Sequence, residues 1–78
     1  MRVYIVMHDL KRSDLDGGYH WHHSLIGIYS SIKNALVPVS RIMAKDGSYR
    51  NDTNNEYDWT TEDGYERLTI ISYDVAME

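Results

Sequence analysis

Cysteine and phenylalanine are absent from this 78-residue chain, and proline occurs once. The lack of cysteine excludes a disulfide-stapled mini-protein and every site that needs a thiolate, such as a zinc finger or a cysteine nucleophile. Apolar runs are short, whereas a membrane-spanning helix needs about 20 apolar residues. No basic-then-apolar secretory signal opens the chain. We therefore expect one small domain over residues 1–78, soluble, cytoplasmic and without a membrane partner.

All nine aromatic side chains are Tyr or Trp, so each ring carries a polar group that suits a position buried at one end and wet at the other. Charge is divided unevenly: residues 1–45 hold six bases and three acids (+3), and residues 46–78 hold two bases and nine acids (−7), which gives the total of −4. This balance argues against direct nucleic-acid binding, which relies on clustered Lys and Arg. The acidic half suits a basic partner surface; alternatively, its acids only keep the protein in solution.

Alternation of apolar residues predicts three strands, over Arg2–His8, Ser24–Tyr29 and Glu66–Met77. Between the second and third strands, Ser30-Ser31 offers a helix N-cap. A helical apolar stripe follows, with Lys45 in the last turn and Gly47 as the C-cap. Pro38 lies inside this stripe, which predicts a kink or two shorter helices. The stripe consists of Ile32, Ala35, Leu36, Val39, Ile42 and Met43.

A strand–helix–strand crossover makes its two strands parallel, and the first strand then fits between them, antiparallel to both. We therefore predict an α+β fold: a three-stranded sheet of order 2-1-3, a split β-α-β unit, with one helix, kinked at Pro38, on one face. The other face, or the long edge of the third strand, is expected to bind another protein or a second copy as a homodimer.

Two long segments show no clear period. Residues 9–23, with Asp16-Gly17-Gly18 at their centre, are interpreted as an excursion too long for a tight hairpin turn. Residues 48–64 are polar, and they form either a functional loop or a hidden β-hairpin around Asp52 to Asn55.

All four histidines lie within the first excursion or at its borders, with acidic residues nearby. Imidazole and carboxylate groups are ligands for zinc, nickel or copper, so a transition-metal site is one hypothesis. An ordinary polar loop and a contact sensitive to pH near 6.5 are the alternatives. The candidate ligands are His8, His20, His22 and His23.

The acidic segment from Asp46 to Glu66 is rich in Tyr and Trp, which are frequent in binding hot spots. We expect it to bind a protein partner; the alternative is that Trp21 and Trp59 fold back to cover the sheet. The candidate contact residues are Tyr49, Asp52, Glu56, Tyr57, Asp58, Trp59, Glu62 and Asp63.

Catalytic motifs are missing from the sequence. It contains no glycine-rich phosphate loop, no nucleophile elbow and no paired metal-ligand helix motif. Ser24 follows His22 and His23, but neighbouring residues of a strand point to opposite faces. We expect a protein that is not an enzyme and has no cofactor other than the candidate metal.

Three stretches resemble a known group. The pattern Tyr4-x-x-x-His8, the run Leu25-Ile26-Gly27-Ile28-Tyr29-Ser30-Ser31 leading into a helix with Ala35, and the ending Ser72-Tyr73-Asp74-Val75 resemble small phage and bacterial proteins of uncharacterised function. In those proteins a Leu-Ile-Gly-Val-Tyr-Ser strand likewise leads into a capped helix. The resemblance implies a phage-type protein that binds and inhibits or modulates a host machine in the host cytosol, such as a CRISPR effector or another defence or transcription complex. A self-associating structural or assembly accessory is a further alternative.

Overall fold

The fold is a five-stranded antiparallel sheet with one helix, seen in a computed structural model that describes residues 1–45, 47–52 and 54–76. The strand order is β2-β1-β5-β4-β3. The prediction of a three-stranded sheet is therefore wrong, although the α+β class agrees and the first strand does lie between the second and the last. The elements are β1 (Arg2–Ser13), β2 (Tyr19–Tyr29), α1 (Ile32–Lys45), β3 (Tyr49–Asp52), β4 (Asn55–Thr61) and β5 (Glu66–Asp74).

The predicted excursion over residues 9–23 is instead the outer half of a long β1–β2 hairpin. Pairing continues from Tyr4 opposite Tyr29 to Ser13 opposite Tyr19, with one bulge opposite Val6 and Met7. The turn is closed by a hydrogen bond from the Asp14 amide to the Gly18 carbonyl (2.7 Å). Its Gly17 has a φ of 84°, which favours glycine. This half shows no apolar alternation because its strands continue past the helix and are solvated.

The polar segment after α1 contains the hidden hairpin, and this hairpin supplies the two additional strands. β3 and β4 pair from Tyr49 opposite Thr61 to Asp52 opposite Asn55, and β4 then pairs with β5. The edge predicted for the last strand is consequently occupied, because β5 lies between β1 and β4. Asp46, Thr53, Met77 and Glu78 lie outside the described residues, so the predicted end of the last strand at Met77 does too.

The N-terminus of α1 is capped as predicted. The Ser31 hydroxyl accepts a hydrogen bond from the Asn34 amide (3.2 Å), and the Ser31 carbonyl accepts one from the Ala35 amide (3.1 Å). The helix continues through Pro38 as one element, so of the two predicted alternatives, a kink or two shorter helices, the second is wrong. No helix among the described residues has the length and apolar character needed to cross a membrane.

The core lies between α1 and one face of the sheet. Ala35 and Val39 of α1 are fully buried against Val6 of β1 and Leu68 of β5. Tyr and Trp side chains from β1, β2, β3 and β4 surround this small centre. The opposite face of the sheet has no layer over it among the described residues. It is hereafter called the open face.

Candidate functional site on the open face of the sheet

The open face carries apolar side chains that remain in contact with solvent. Strand alternation and register place Ile5, Leu25, Ile28, Ile71 and Tyr73 on it. Leu25 and Ile28 are each 58% exposed, and Tyr73 is 61% exposed. Val3 and Met7 of β1, both half-buried, lie between the apolar side chains of β2 and those of β5. Large exposed apolar patches are typical of contact surfaces.

Beside this patch, a half-buried ion pair joins β4 and β5. Arg67 donates to both carboxylate oxygens of Asp58, from Nε (2.9 Å) and from Nη2 (2.5 Å). Asp58 is only 5% exposed, whereas the Arg67 side chain is about half exposed. The hydrogen bonds to Asp58 raise the pKa of Arg67 further above its usual value, so the guanidinium stays charged.

A second acid on the open face is also paired. Asp9, which is buried, contacts the ring of His23 through Oδ1 and Nδ1 at 2.7 Å. The side chains of Met7, Asp9, His23, Arg67, Thr69 and Ile71 line a shallow depression of about 220 Å³. At its wall, the buried Thr69 hydroxyl has no hydrogen-bond partner within the part of the chain that the structure describes. We call Asp9, His23, Asp58 and Arg67 the polar cluster.

An aromatic end completes the open face near the β1–β2 turn. Lys11 Nζ lies 4.8 Å from the ring centre of Tyr19 and 5.7 Å from that of Tyr65. The two rings stack with centroids 6.1 Å apart. The hydrogen bond with the neighbouring Tyr19 hydroxyl is the main reason why the pKa of Tyr65 is raised, so the Tyr65 phenol stays neutral at physiological pH. Trp21, 40% exposed and opposite Lys11, borders the same end.

The residues predicted to bind a partner do not form one surface. The three rings, Tyr49, Tyr57 and Trp59, are half-buried and pack against the core on the helix side. Asp58 belongs to the polar cluster. Asp52 accepts a hydrogen bond from the Asn54 amide (2.8 Å). Asp63 accepts hydrogen bonds from the Thr61 hydroxyl and the Tyr65 amide. Both of these acids therefore shape turns. Glu56 and Glu62 are exposed, and Glu62 Oε1 lies 3.6 Å from Arg50 Nη2.

The four histidines do not meet at one point. His20 and His22 contact each other through their Nε2 atoms at 2.7 Å, and His20 Nδ1 contacts the Asp14 carboxylate. His23 projects from the opposite face. His8 lies on β1, and its Nε2 atom is 3.4 Å from Oε2 of Glu66. His20 therefore contacts Asp14 through one ring nitrogen and His22 through the other.

Within residues 1–45, 47–52 and 54–76, no three His, Asp or Glu side chains converge as metal ligands would. The metal site stays a prediction from the sequence and is not proposed below. His8 instead joins a polar contact under the helix side of the sheet, where the Tyr49 hydroxyl donates to Glu66 (2.6 Å) and lies 3.3 Å from His8 Nε2.

The polar cluster was missed at the level of sequence because its members come from four strands. Asp58 and Arg67 lie nine residues apart in a segment without visible alternation, and Asp9 lies in the presumed excursion. The available signal was Arg67 itself, one of only two basic residues in an acidic half, at the start of a strand whose following residues include Leu68, Ile70 and Ile71.

Comparisons with protein-family models, curated proteins and solved structures returned no match. The resemblance to small phage and bacterial proteins therefore stays a prediction.

Proposed function

We propose that this protein is a non-catalytic binding protein that docks a protein partner on the open face of its sheet. The observation that carries the proposal is the uncovered apolar patch around Ile71, bordered by a fully paired polar cluster. Hot spots of protein interfaces combine aromatic and aliphatic anchors with charge pairs that lose their water when the partner binds. This surface replaces the acidic hairpin as the preferred contact region, since the hairpin's rings pack against the core.

The charges on the open face favour a protein over a nucleic acid. Arg67 is held by Asp58, and Lys11 lies over two rings, so neither cation is free to bind phosphate. The four strands β2, β1, β5 and β4 have 11, 12, 9 and 7 residues. At about 4.8 Å between strands and about 3.3 Å per residue, they span roughly 19 Å by 30 Å, a plane of about 570 Å². This plane approaches the ~800 Å² that each partner contributes to a standard-size interface, and side-chain relief adds to it. The narrower prediction of a host defence or transcription complex rests on the resemblance alone.

Site-specific photo-crosslinking tests the location of the contact. A photo-reactive residue is placed at Ile71 on the open face or, as the matched control, at Glu56 on the hairpin, and the protein is expressed in the cell that carries its gene. We expect one discrete crosslinked protein from position 71, lost when Tyr73→Asp is added, and none from position 56. Crosslinking from position 56 alone would overturn the proposal and favour the acidic hairpin. A crosslink from position 71 only to a second copy would also overturn it.

A further inference from the structure

The outer edge of β2 is an unprotected strand edge. β2 ends the sheet on one side and is eleven residues long, whereas β3, on the other side, has four. Natural edge strands are guarded by Lys, Pro or inward-pointing charges against pairing with further strands. Between Tyr19 and Tyr29 there is no Lys, Arg, Asp, Glu or Pro. Residues 19–25 also pair with β1 without a bulge, so this part of the edge is regular.

The two ends of this edge carry opposite charges. At the N-terminal end of β2 lies the turn with Asp14 and Asp16, both exposed; Arg12 lies there too, but on β1, one strand in from the edge. At the C-terminal end α1 begins, with exposed Lys33 and Arg41 and no acid in its first turn. The positive end of the helix dipole adds to the basic character there.

An apolar groove accompanies the edge at its basic end. Tyr29, Val37 and Pro38 line it, together with Asn34 and Arg41, and its volume is about 400 Å³. Val37 is 47% exposed although it lies in the middle of α1. A strand added to β2 would approach this groove, so apolar burial would accompany the new backbone hydrogen bonds.

We infer that a second copy of this chain pairs with β2 along its outer edge, antiparallel and across a two-fold axis. Antiparallel pairing brings the Asp14–Asp16 turn of each copy to the Lys33 end of the other, so both charged ends are matched at once. Parallel pairing would oppose like ends. Because β2 carries no formal charge, pairing it with β2 of a second copy brings no like charges together along the strands. The two sheets then form one ten-stranded sheet with the two open faces side by side, and this goes beyond the proposed function because it uses a different surface.

Charge reversal measured by sedimentation equilibrium tests this dimer. The expected results are a dimer for the wild type and a dissociation constant about 3- to 10-fold higher for Lys33→Glu and for Asp16→Lys, because each reversal affects two symmetry-related contacts. The double variant Lys33→Glu/Asp16→Lys restores the opposite-charge contacts and should return to near the wild-type value. Lys45→Glu, the same change at the far end of α1, is the matched control and should leave the constant unchanged.

A lysine in the middle of the edge provides an independent variant. Ser24→Lys keeps the backbone amide but introduces two extra charges at the paired strands, so it should yield a monomer with an unchanged far-UV circular dichroism spectrum. A wild type that is monomeric up to several hundred micromolar would overturn the inference. So would a dimer that withstands Ser24→Lys, or equal weakening by Lys33→Glu and Lys45→Glu. If Ile71→Asp dissociates the dimer and the β2 variants do not, the second copy lies on the open face and both proposals are overturned. In every other case the crosslinking experiment tests the open face and the sedimentation experiment tests the β2 edge, so one proposal can fail without the other.

Discussion

Arg67 of β5 holds the buried carboxylate of Asp58 on β4 with two hydrogen bonds, although its own side chain is 47% exposed. The two partners therefore differ in what their removal leaves behind. Without Arg67, a carboxylate stays buried with no counter-charge. Without the Asp58 charge, the guanidinium still reaches water.

This asymmetry predicts unequal losses of stability. Arg67→Ala should lower the free energy of unfolding by about 2 kcal/mol, less than for a fully buried pair because the arginine is screened by solvent. Asp58→Asn keeps the shape and should cost about 1 kcal/mol. Urea denaturation of both variants measures the two values. Equal losses, or a larger loss for Asp58→Asn, would contradict the assignment of Asp58 as the desolvated partner.

Trp59 is half-buried against the core, whereas Trp21 lies at the exposed aromatic end of the open face. Trp59→Ala should therefore lower the free energy of unfolding by about 2–3 kcal/mol, which corresponds to a melting temperature roughly 10–20 °C lower in a domain of this size. Trp21→Ala, as the matched control, should cost less than about 1 kcal/mol. Thermal melts followed by circular dichroism decide the matter, and a smaller effect at position 59 than at position 21 would assign Trp59 to a contact surface instead.

The parts of the fold that follow an apolar period could be predicted, and the parts held by polar pairs could not. α1 was located because its stripe faces the core and Ser31 caps its first turn. For β4 the sequence leaves a loop and a hairpin as alternatives, because one face of this strand carries Asp58, which pairs with Arg67 from another strand, a contact that adjacent residues do not reveal. Because the sequence predicts a single helix, it also predicts that one face of the sheet is open. Which side chains form the polar cluster on that face depends on the register of the strands, and this register is set by the tertiary structure.

Asp63 provides a test of pH dependence in the turn between β4 and β5. Its pKa is lowered below 3.8, mainly by the hydrogen bond from the Thr61 hydroxyl (2.6 Å) and also by the Tyr65 amide. Since the folded pKa is below the unfolded one, this carboxylate adds stability above pH 3.8, and the contribution is lost as the pH falls through the folded pKa. Carboxyl titration by NMR should show the low pKa in the wild type and a higher one in Thr61→Val. An unchanged pKa in that variant would contradict the role of the hydroxyl.

The last prediction concerns Gly27, over which the ring of Tyr29 lies on the helix side of β2. A Cβ added at Gly27 would stand 2.7 Å from the Tyr29 hydroxyl oxygen and 2.9 Å from two ring carbons, which is closer than real atoms approach. Gly27→Ala must therefore displace the ring, which packs against the core, and we expect a loss of about 1–2 kcal/mol. In a Tyr29→Val background the obstructing atoms are absent, so the same substitution should cost less than about 0.5 kcal/mol. A double-mutant cycle by urea denaturation measures this coupling. Additive losses in the cycle would mean that Gly27 is required for its backbone and not for the space it leaves to Tyr29.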